Sequence, residues 1–76
     1  LEDITVHNYF VSFVYINKAT YEERHVYDNC IMVDTTDTAT STASQLDDLI
    51  TRFTNQIKQQ LSHADKVTIL NINKMN

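Results

Sequence analysis

Between residues 8 and 17 the chain reads NYFVSFVYIN, apolar on both sides of a period-two alternation. Phe10, Val14 and Ile16 fall on one side, and Tyr9, Val11, Phe13 and Tyr15 on the other. Aromatic and β-branched residues in such a run predict a strand, here a strand without a wet face. Ile4 and Val6 continue the pattern and are expected to extend it. Residues 24–33, RHVYDNCIMV, predict a second strand. His25, Tyr27, Asn29, Ile31 and Val33 share one side of it, and Val26, Asp28, Cys30 and Met32 the other. KATYEE, residues 18–23, forms the hairpin end between them, longer than a two-residue primed turn.

The run DTTDTATSTAS, residues 34–44, is small, polar and rich in Thr and Ser, as a connection would be. The periodicity then changes. Leu46, Leu49, Ile50, Phe53, Ile57 and Leu61 recur at spacings of 3, 1, 3, 4 and 4, one stripe of a helix over 45–61. Ser44 is the expected N-cap. Asp47 and Asp48 are expected in the first turn, where exposed N–H groups favour anions, and Asp48 and Arg52 form a possible i,i+4 pair. KVTILNINK, residues 66–74, predicts a third strand, with Val67 and Ile69 on one side and Thr68, Leu70 and Ile72 on the other.

The order β-β-α-β implies one small α+β domain over residues 1–76: a hairpin, a helix crossing one sheet face, and a third strand returning to the sheet. Strand 3 is expected beside strand 1 and antiparallel to it, in order 2-1-3, with the most apolar strand at the centre. One helix covers one face of such a sheet. The other face retains several large side chains, and contiguous apolar patches seldom stay open on soluble monomers. The expected solution is self-association, sheet on sheet or edge to edge, most simply as a homodimer; the alternatives are a half-wet face whose tyrosines keep their hydroxyls in solvent and a surface that binds a different protein. The tyrosine-bearing side, Tyr9, Val11, Phe13 and Tyr15 together with Tyr27, is the expected interface, because tyrosine suits binding surfaces. Phe10, Val14 and Ile16 are the alternative set.

Composition sharpens the need for a partner. A chain of 76 residues buries only about 60% of its unfolded surface. A single cysteine, Cys30, closes no disulfide within the chain and fits a reducing compartment. The chain starts at Leu1 rather than Met, as a trimmed chain or a piece of a longer one would. No apolar run approaches the roughly 18 residues of a membrane span, so a cytoplasmic protein without membrane contact is expected. Ten acids against six bases give a net charge of −4, which disfavours binding to a phosphate backbone. Gly and Pro are both absent, where average usage would supply about nine. Without glycine there is no glycine-based phosphate loop and no nucleophile elbow. Asn is the next residue suited to positive φ.

Little chemistry remains to weigh. His7, His25 and His63 have no ligand spacing, and His25 and Cys30 point to opposite faces of one strand, so no metal site is expected. Cys30 reads as a small buried hydrophobe. Asp34 and Asp37 could hold a metal or act as a nucleophile, but beside threonines they suit turn capping better. No Ser-His-Asp arrangement can be drawn. The expectation is no catalytic residue, no cofactor and no enzyme activity. Sheet aromatics can stack on single-stranded nucleic acid, which makes that function the alternative. Only Lys18 and Arg24 lie near, with Glu22 and Glu23 between them.

NYFVSFVYIN near the start, the Thr-rich linker, the amphipathic helix and the closing VTILNINKM resemble a loose class of small proteins carried by phages and other mobile elements. The resemblance covers nearly the whole chain and rests on layout and strand motifs. It implies a β-β-α-β fold. Members often have no assigned activity, and some dimerise and inhibit host enzymes by occupying their nucleic-acid sites. This chain has no strong acidic stripe, which counts against close nucleic-acid mimicry, and no functional residue is carried over. The function expected is a small, non-enzymatic, homodimeric protein-binding module that inhibits or regulates a host factor.

Overall fold

Four elements follow one another: β1 (His7–Asn17), β2 (His25–Asp34), α1 (Ala43–Gln60) and β3 (Ala64–Lys74). The computed structural model describes residues 4–18 and 24–75. The three strands form one antiparallel sheet in order β2-β1-β3, the predicted topology. The hairpin end expected over 18–23 lies outside the described residues from residue 19 onward. Ile4 and Val6 do not extend β1, and both are exposed.

The helix settles which face of β1 is inside. Tyr9, Val11, Phe13 and Tyr15 are buried beneath Leu49, Phe53 and Ile57 of α1, with Met32, Ala64 and Val67 closing the core. These tyrosines are the side chains expected at the interface, so the faces are the reverse of that expectation. Two terms explain it. Each aromatic ring can bury roughly 150–250 Å², so this side gains more from the helix than Phe10, Val14 and Ile16 would. The other side also carries Ser12, whose hydroxyl would lose water under a helix. Burial leaves the Tyr9 hydroxyl with a partner. The Tyr9 hydroxyl donates to the Thr36 carbonyl, and the Tyr9 ring meets Phe53 edge-on at 5.8 Å. Tyr15 meets His63 in the same manner at 5.7 Å.

The helix starts earlier than its apolar stripe suggests, because Thr42 rather than Ser44 is the N-cap. Gln45 N donates to Thr42 Oγ1 at 3.3 Å, and Thr42 N donates to Gln45 Oε1 at 2.8 Å, a reciprocal capping box. The shift takes Asp47 and Asp48 out of the first turn, which holds no acid. Arg52 turns to the loop instead of Asp48. Its Nη2 donates to Asp34 Oδ2 and to Thr36 Oγ1, both at 2.9 Å.

Two irregularities bend β3. Ser12 pairs with Asn71 but Phe13 pairs with Ile69, so Leu70 is an extra residue. The bulge shifts the alternation. Ile72 packs against the core with Val67 and Ile69 instead of siding with Thr68 and Leu70. A second shift, between Val14 and Ile16 of β1, contains Lys66 at φ 50°. That is the left-handed region, which glycine occupies without a Cβ penalty. α1 lies closest to β3. The inner side of β2 is therefore unevenly covered: Met32 is buried, Val26 and Cys30 are half-buried and Asp28 is exposed.

Candidate functional site

The candidate site is the sheet face turned away from α1. Register sets its side chains in rungs across β2, β1 and β3: Ile31–Phe10–Asn73, Asn29–Ser12–Asn71, Tyr27–Val14–Thr68 and His25–Ile16–Asp65. Val33 lies beside Asn8 at one end. The face grades from apolar at β2 to polar at β3. Tyr27 is 72% exposed, Ile31 62%, Val33 53% and Phe10 39%, while Val14 and Ile16 are half-buried by their neighbours. The middle rung is polar, and Ser12 Oγ donates to Asn29 Oδ1 at 2.8 Å. In these four rungs charge is confined to the last one, at His25 and Asp65.

Of the residues expected to form the interface, only Tyr27 is on this face. Tyr9, Val11, Phe13 and Tyr15 belong to the core. The alternative set Phe10, Val14 and Ile16 is here, joined by Ile31 and Val33, which the sequence reading did not select. Their signal was present: both share one side of β2 with Tyr27.

A second recess lies between α1 and β3, about 360 Å³ in volume, with Leu46, Ile50, Leu70 and Ile72 in its walls. It is shallow and mainly apolar, with Thr38 and Asn71 as its polar lining. Among the described residues, no acid or base lines it.

The remaining polar clusters secure the loop between β2 and α1. Asp34 accepts from Thr36 N at 2.9 Å as well as from Arg52. Burial pushes its carboxyl up, but hydrogen bonds from Thr36 and Arg52 and the guanidinium charge outweigh this, leaving it below its ordinary value. Asp37 Oδ1 accepts from Lys74 Nζ and Ala39 N, both at 3.0 Å, and these bonds hold its carboxyl below the ordinary value too. Both carboxylates therefore act as local clips, the use that the Asp-Thr setting suggests. Cys30 is half-buried, and desolvation together with the Asp28 charge raises its thiol pKa. Among the described residues, no group of three or more His, Cys, Asp or Glu side chains could hold a metal ion. No helix among them is long and apolar enough to cross a membrane. No protein family, curated protein or solved structure matches the chain.

Proposed function

We propose that this chain is a small, non-enzymatic protein-binding module that works as a homodimer, with the outer sheet face as its contact surface. One observation carries the reading: Tyr27, Ile31, Val33 and Phe10 stand together on a face that no element among the described residues covers. Leaving such a patch in water forgoes about 25 cal/mol for each Å² that a partner would cover. Its centre is free of charge, as interface cores tend to be. The resemblance in layout to small proteins of phages and mobile elements adds a role for the dimer, that of inhibitor or regulator of a host factor in the cytoplasm. Nucleic-acid binding through the sheet aromatics draws less support, since Tyr9, Phe13 and Tyr15 lie beneath the helix and, among the described residues, only Phe10 and Tyr27 remain on the open face for stacking.

Sedimentation equilibrium over a micromolar concentration series tests the dimer. The expected species has twice the chain mass of 8.8 kDa and dissociates on dilution. Ile31→Glu, at an exposed site, should shift the equilibrium to monomer while circular dichroism stays unchanged. A single 8.8 kDa species at every concentration would end the homodimer reading.

A further inference from the structure

The rungs of the outer face form a pattern that complements itself. Apolar pairs flank a polar centre: Ile31–Phe10 on one side, Tyr27–Val14 on the other and Asn29–Ser12–Asn71 between them. A two-fold axis lying between two such faces, perpendicular to the strands and passing over Ser12, reverses the order of the rungs and keeps each strand above its own copy. It sets Phe10 on the partner's Val14 and Ile31 on the partner's Tyr27. The polar rung meets its own copy, where hydroxyl and amide groups can bond across the axis. The polar flank at β3 meets the polar flank of the partner.

We infer that the second copy docks face to face in this geometry, with β2 over β2, β1 over β1 and the Ser12 rung at the axis. The inference rests on the homodimer reading and names the arrangement of its interface. The other face-to-face two-fold runs along the strands and lays β2 over β3. It sets Ile31 on the partner's Asn73 and Tyr27 on the partner's Thr68, each time an apolar group against an amide or hydroxyl that then lacks a bonding partner.

Size supports a second copy. From Val33 to His25 the rungs span nine residues, about 27 Å at a strand's rise, and three strands with their side chains are roughly 15 Å wide. With side-chain relief, two such faces remove on the order of 1,000 Å² from water, the lower bound for a specific contact. Charge does not separate the two arrangements: reversing the rungs keeps His25 and Asp65 away from their own copies, while the other two-fold sets His25 on the partner's Asp65, so the choice rests on the apolar rungs. Packed sheets cross at about 30°, which concentrates contact on the rungs beside the axis, the two apolar ones.

Complementary charges test the geometry. Phe10→Lys and Val14→Asp are prepared separately, and each should be monomeric at concentrations where the wild type is dimeric. Mixing the two should restore association, to within roughly ten-fold of the wild-type dissociation constant. The introduced charges then face each other at one contact, and the wild-type pair of side chains remains at the other. Ile31→Asp mixed with Tyr27→Lys is an independent second pair, and circular dichroism checks that every single variant is folded. A wild type that is monomeric throughout removes the homodimer reading itself. A dimeric wild type whose variants part but do not recombine when mixed retains the outer face and overturns this geometry. Variants that all remain dimeric place the contact elsewhere, for instance on the free edge of β2 or β3, and also overturn it.

Discussion

Tyr9 and Phe53 meet edge to face at 5.8 Å, and from that position the Tyr9 hydroxyl reaches the Thr36 carbonyl. One side chain thus joins β1, α1 and the loop between β2 and α1. Both rings are fully buried. Tyr9→Phe keeps the ring contact and removes the hydrogen bond, so it should cost about 1 kcal/mol and lower Tm by roughly 4–8 °C. Phe53→Ala leaves a cavity worth about 3–5 kcal/mol, and in a chain of this size it should abolish cooperative unfolding. Thermal melts at a fixed protein concentration distinguish the two. An unchanged melt for Tyr9→Phe would mean that the Thr36 contact contributes nothing.

The helix cap gives a contrast between two neighbouring hydroxyl residues. Thr42 forms the capping box with Gln45, while Ser44 lies inside the helix and is exposed. Thr42→Ala should therefore destabilise by about 1 kcal/mol, and Ser44→Ala should be neutral or slightly stabilising, since alanine is the better helix former. Urea denaturation of both variants checks the order. Equal losses would place the cap elsewhere.

The cap also marks where the sequence is hard to read. In the run TSTAS, residues 40–44, several hydroxyl side chains satisfy the same preference, and the apolar stripe begins only at Leu46. Order and topology were legible, because the two strand periods and the helical stripe leave few ways to build a sheet with β1 at its centre. The choice of face was not resolved by period, since β1 is apolar on both sides. The deciding residue is Ser12, one hydroxyl in the middle of the side that remained open. The side of Ile72 was not legible either. An extra residue at Leu70 reverses the alternation without any glycine to announce it. Ile31 and Val33 became site residues only once the register set them beside Phe10 and Asn8.

Lys66 holds a left-handed conformation, φ 50°, in a chain without glycine. A non-glycine residue there costs roughly 1–2 kcal/mol, offset in part by the smaller loss of freedom on folding than glycine suffers. Lys66→Gly should raise stability by up to about 1 kcal/mol, and Lys66→Val should lower it, since a β-branched residue fits this region worst. The side chain is exposed, so little packing changes in either variant. Chemical denaturation in which valine proves as stable as glycine would show that the bulge relaxes instead of holding its backbone.

Asp34 links the end of β2 to α1 through Arg52 Nη2 at 2.9 Å, and its folded-state pKa lies below the ordinary 3.8. On acidification the unfolded chain takes up this proton first. The Asp34 contribution is therefore complete above the ordinary value and is lost as pH falls through the lower, folded value. Arg52 is half exposed, so solvent and salt screen the pair, and the contribution is on the order of 0.5 kcal/mol. Asp37, held by Lys74, depends on pH in the same direction. Urea denaturation near pH 7 and again near pH 3, at one protein concentration, should show the wild type losing more stability than Asp34→Asn. The gap between them should narrow in molar salt. If the two proteins lose the same amount, the Asp34–Arg52 clip does not hold the loop, and its stability must come from Tyr9 and the cap at Thr42.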